Sequence, residues 1–211
     1  MLVIAPYAVS VPVALMVAER LEVATAAGLV ALALAPGSFL APGLVSAAGG
    51  RRADMAGALL LGTVIMSFAL VVTRPAASTV ALTAAQAFAV ASLAASALPQ
   101  VRDRVLAALR WAGYLAGLVV ILLAIAGGPP IDPVTVIVAL AATLVTLVVA
   151  GAAAIALRRD MLSAVAGAGM RDPIVAVALA WATGGAEATA VPLVSAAILG
   201  IVAAALMLRP R

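Results

Sequence analysis

Residues 161–186 read MLSAVAGAGMRDPIVAVALAWATGGA, an apolar run long enough to cross a bilayer that carries Arg171 and Asp172 side by side in its middle. A charged residue at the centre of a spanning helix costs roughly 2.5–3.5 kcal/mol on insertion scales, so such residues usually face a protein interior or a cavity. The flanking residues predict how that cost is reduced. Gly167 and Gly169 weaken the helix before the pair, and Pro173 lacks an N–H and clashes with the preceding turn, so the helix is expected to break here. Asp172 then caps a second half-helix, with Pro173 at its first position and residues 174–181 following. Arg171 is left pointing into the gap between two half-helices, and irregular backbone at that depth is tolerated only where protein covers it or a cavity borders it. The competing reading places Arg171 and Asp172 in a short interfacial loop facing water. It requires two crossings of about 11 and 14 residues, where a span needs about 20.

Outward from this stretch, the chain is of one character. Of 211 residues 67% are hydrophobic and 9% charged, a composition outside the range of soluble domains and expected of an all-α integral membrane protein. Apolar runs recur along the whole length, so residues 1–211 read as a single polytopic domain. There is no Cys and no His, which removes thiol chemistry, disulfides and the usual transition-metal ligand sets, and with them most enzyme classes. No cofactor or metal site is expected, and the chain reads as a non-enzyme. The N-terminus has no basic region before its apolar run and reads as a mature span.

Eight crossings are expected: 2–18, 23–49, 55–72, 78–98, 105–126, 134–157, 161–186 and 188–208. The second is interrupted at Pro36-Gly37-Ser38 and again at Pro42-Gly43, so it too cannot stay helical throughout. This count puts Arg51, Arg52, Arg102, Arg104, Arg110, Arg158, Arg159, Arg209 and Arg211 on one side and only Arg20 and Arg74 on the other, with Arg171 inside. By the positive-inside rule both termini are cytoplasmic and the protein sits in the inner or plasma membrane. The same distribution makes the arginines topology signals, so no nucleic-acid partner is expected. Small residues, such as Ala152, Ala153 and Ala154, read as close helix packing.

The order of features is helix, broken helix, helix, two plain helices, then helix, broken helix, helix. Repeat 1 (about 1–73) and repeat 2 (about 134–208) are five crossings apart, connected by 78–126. An odd offset inverts one relative to the other. Interrupted spans at corresponding places of inverted repeats point to a secondary transporter with a binding site at the midplane.

The stretch Ala35-Pro36-Gly37-Ser38 through Gly49-Gly50, followed by Asp54, resembles the first crossover region of the bile acid:sodium symporter family, and Gly169-Met170-Arg171-Asp172 before an alanine-rich helix resembles the second. The resemblance covers about residues 1–208. It implies organic anion transport and symport, and a ten-span fold of which the first two spans have no counterpart here. It also implies a sodium site, but the positions differ: Ala41-Pro42 stand where the family has Ser-Asn, Gly167 where it has Glu, and Arg171-Asp172 where it has Gln-Asn. Ala41, Pro42 and Gly167 offer no side-chain oxygen where the family has ligands, which puts sodium coupling in doubt and leaves a proton as the other candidate coupling ion.

The expected function is therefore a transporter or facilitator of a small organic anion, with lipid and the anion as partners and oligomers allowed. Its substrate-binding residues would be Arg171, Asp172, Ser38, Pro42, Gly43, Gly169 and Pro173 around the helix breaks at Pro36, Gly37 and Gly167. Arg171 supplies fixed positive charge, and half-helix N-termini add more. The alternative is a non-transporting, degenerate relative, or one subunit of a hetero-oligomeric transporter.

Overall fold

The computed structural model describes residues 4–37, 122, 124–129 and 131–207. Among them there are helices and no strands. Helix α1 spans Ile4–Ala18 and α2 spans Val23–Leu34, with α3 at Pro133–Ala156. Helix α4 (Met161–Ala164) runs into a π-helical turn at Val165–Gly169, and after the break α5 spans Pro173–Gly184. A 3₁₀ turn at Glu187–Thr189 then leads into α6, Ala190–Met207. The expected spans at 55–72 and 78–98, nearly all of 105–126, and most of the Arg loops lie outside the described residues.

Each boundary has a local cause. Pro133 sits at the first position of α3, and Asp132 before it accepts the Thr135 N–H at 2.6 Å, a standard start. At the other end Arg159 N–H bonds Ala154 O (2.9 Å) and Arg158 N–H bonds Ile155 O (3.2 Å). This is the paired C-terminal closure that puts its linking residue in the left-handed region, and Arg158 takes it at φ 51°. Helix α5 ends at Gly185, φ 74°.

Among the described residues α3 alone is long and apolar enough to cross a membrane, while α1, α2, α5 and the 187–202 segment are shorter apolar helices. Only 28% of the apolar window of α3 is buried. Ile137, Val148 and Ile155 on this helix are exposed, which is compatible with a lipid-facing surface.

Helix α2 is the hub. Its Ala31 and Leu34 pack on Leu179 and Ala180 of α5 and on Ala188, while Leu32 and Ala35 meet Ala139, Ala176 and Val191 from α3, α5 and α6. On its remaining face Leu29 and Ala33 meet Ala14 of α1. Small residues make the approach close: a Cβ on Gly28 would run into the Ala188 carbonyl oxygen and lie 3.2 Å from Val191 Cβ. The effect of this packing is to bring the C-terminal end of α2 against the break between α4 and α5.

Candidate functional site

Two breaks meet in the interior. After α2, residues 35–37 leave the helix, and after the π turn Met170 turns extended. Gly37 and Arg171 form an antiparallel β-bridge, and Asp172 N–H bonds Pro36 O at 2.8 Å. Main-chain groups freed by one interruption are thus satisfied by the other, which is how non-helical backbone becomes tolerable away from water.

Asp172 is the N-cap the sequence predicts: its Oδ1 accepts the Ile174 and Val175 N–H groups, each at 3.0 Å, and Pro173 holds the first helical position. Gly167 lies inside the π turn, and the chain leaves helical geometry three residues later, at Met170. The extra residue of a π turn lets the chain leave the helix in a new direction. Gly169 lies against α3, where a Cβ would stand 3.0 Å from Ala150 Cβ and 3.2 Å from Thr146 O. Ser38, Pro42 and Gly43 lie outside the described residues.

Arg171 is 2% and Asp172 0% exposed, so the interfacial-loop reading is wrong. The open gap expected in front of Arg171 is also absent among the described residues, because α1 fills it. Arg171 Nη1 donates to Ala35 O and Nη2 to Ser10 Oγ, both at 3.1 Å. The guanidinium lies over the Tyr7 ring, 3.8 Å from its centroid, and Tyr7 Oη donates to the same Ala35 carbonyl at 3.0 Å. A desolvated cation–π contact is worth about 2 kcal/mol, and each hydrogen bond from a charged donor about 1.5–3 kcal/mol. One donor is left over: Arg171 Nε is buried and has no hydrogen-bond partner among the described residues.

Around the guanidinium stands a group of hydroxyls. Leu32, Thr143, Thr146, Ser195 and Leu199 enclose a void beside Arg171 that is too tight for a water molecule. Thr143 Oγ1 gives its proton to Ala139 O (2.7 Å) and therefore accepts from Ser195 Oγ at 2.8 Å, and Thr146 Oγ1 donates to Thr143 O at 2.9 Å. Among the described residues no cluster of acidic, His or Cys side chains could hold a metal ion.

Sequence reasoning missed Tyr7 and Ser10. Both leave a faint trace: Tyr7 is one of only two tyrosines in the chain, and Ser10 is the one hydroxyl between residues 8 and 24. Their pairing with Arg171, more than 160 positions away, follows only from the packing of α1 against the crossing. Comparison of the chain with protein-family models, curated proteins and solved structures found no match.

Proposed function

We propose that this chain is a multi-pass membrane carrier for a small organic anion, built from eight crossings in two inverted repeats, with the anion bound where the two interrupted helices cross. A single observation carries the reading. Two helix breaks distant in sequence are joined main chain to main chain, Gly37 to Arg171 and Pro36 O to Asp172 N, with one guanidinium buried at the junction. Paired interruptions with a charge between them are the arrangement transporters use to bind an ion or anion at depth. The N-terminus of α5 starts at the same junction and adds partial positive charge there. In the described state the guanidinium is held by Tyr7, Ser10 and Ala35, so a ligand must displace some of these contacts, and α1 is the element that has to yield.

The same three contacts favour a second reading, a non-transporting membrane protein in which Arg171 is a structural pin. Uptake into proteoliposomes separates the two, with a panel of labelled carboxylates and Arg171→Lys and Arg171→Gln variants matched for folding by thermal stability. The carrier reading expects uptake of at least one acid. Arg171→Lys, which keeps the charge and loses the planar fork, should lower it about tenfold, and Arg171→Gln should abolish it. No uptake by folded wild-type protein, or unchanged uptake by Arg171→Gln, overturns it.

A further inference from the structure

A cavity of about 270 Å³ lies between α1, α2 and α3, on the side of Ser10 away from the crossing. Its described walls are Val13, Ala14 and Val17 of α1, Leu29 and Ala33 of α2, and Val138 and Ala142 of α3, among others, nearly all apolar. The hydroxyls of Ser10 and Thr146 are its polar points. Ser10 Oγ is the acceptor of Arg171 Nη2, and Thr146 and Leu32 border both this cavity and the tight void beside Arg171. A buried guanidinium therefore stands one hydrogen bond behind the wall of an apolar chamber whose outer rim, Val13 and Ile137, is exposed.

From this juxtaposition we infer that the chamber holds the apolar body of a monocarboxylate whose head reaches Arg171 by taking the place of Ser10 Oγ on Nη2. The inference rests on the carrier reading above and adds the ligand's class and size. Three features argue for it. The chamber offers an apolar body a dry surface and gives its charge one destination. Carboxylate is the group that a guanidinium arm binds with a charge-assisted bond, stronger than the neutral bond that Ser10 makes. Displacement is easy for Ser10, because a serine hydroxyl within a helix can turn to a carbonyl of its own preceding turn. For size, an apolar cavity of about 150 Å³ accepts benzene, so this chamber suits a ring with a short chain. An inorganic anion would leave it empty, and a neutral apolar chain would leave the guanidinium unused.

The experiment is calorimetric titration of the purified full chain in nanodiscs of one defined lipid, with 3-phenylpropionate and its uncharged amide as probes. Wild-type protein should bind the acid at least about tenfold more tightly than the amide, the difference one charge-assisted bond makes. Ala142→Phe, which fills the chamber, should weaken the acid at least tenfold, with Ala142→Leu as the milder filler where the first variant fails to fold. Ser10→Ala removes the competitor for Nη2 and should hold or tighten acid binding. If Ala142→Phe and Ala142→Leu bind the acid as wild type does while Arg171→Gln does not, the chamber assignment falls and the anion reading stands. Equal binding of acid and amide makes the chamber a niche for bilayer chains and overturns the inference. Acid binding unchanged in Arg171→Gln overturns both, and no acid binding by wild-type protein overturns the chamber inference, the carrier reading being decided by the uptake panel.

Discussion

At the scale of single residues, two carboxylates show how one side-chain type performs the same task in different surroundings. Asp172 caps α5 from complete burial, while Asp132 caps α3 from the surface. The Thr135 backbone N–H, with the Thr135 hydroxyl adding to it, holds the Asp132 carboxyl below the usual carboxylate range. A depressed folded-state pKa means that the cap contributes its stability at neutral pH, above the unfolded value, and loses it as the pH falls through the folded one. Asp132→Asn caps about as well without titrating. Thermal melts between neutral pH and about pH 3, a range chosen to bracket ordinary carboxylates, should therefore show a smaller acid-induced drop in Tm for Asp132→Asn than for wild type. Parallel drops in the two proteins would mean that the cap carries no pH-dependent stability. Arg171 is a different case, since a cation in the interior needs partners: Ala35 O and Ser10 Oγ take its two terminal nitrogens and the Tyr7 ring lies against its face, while Nε has no hydrogen-bond partner among the described residues.

At the scale of elements, the crossing depends on how closely α2 approaches the start of α6. Gly28 has no room for a side chain, since its Cβ position is taken by the Ala188 carbonyl and crowded by Val191 and Pro192. Alanine is the better helix former by about 1 kcal/mol, so an isolated helix would gain from Gly28→Ala. Here the added methyl must push α2 away from backbone atoms that cannot rotate aside. Overpacking of this kind costs about 1–3 kcal/mol, and the net effect expected is a lower Tm and looser contact between the Pro36–Gly37 segment and Arg171. A Tm equal to or above that of wild type would show that the helices part without penalty. The π turn at Val165–Gly169 works to the same end from the other side, seating Gly169 against α3 so that the break arrives in line with the end of α2.

At the scale of the whole molecule, the arginine asymmetry fixes an expected topology. Reporter fusions after Gly50, Arg102 and Arg159 should be cytoplasmic, and those after Arg74, Pro130 and Glu187 external; one reversed site removes the eight-span count and with it the inverted repeat. The exposure of large apolar side chains along α3 agrees with a lipid-facing surface.

The apolar composition, the helix break at Arg171-Asp172 and the cap at Asp172 were determined by the sequence alone, because each follows from chemistry within a few residues: proline cannot continue a helix, and aspartate can start one. The ends of α2, α3 and the segment 161–184 fall within two residues of where proline, glycine and charge place them, α2 stopping at Leu34, two residues ahead of Pro36. What the guanidinium does was decided only by the tertiary structure. A charge in an apolar stretch announces that it needs partners without naming them, and the partners it found are a ring, a hydroxyl and a carbonyl on α1 and at the end of α2. No local pattern marks Tyr7 or Ser10 for that role; the docking of α1 against the crossing does, by bringing together residues that the chain holds far apart.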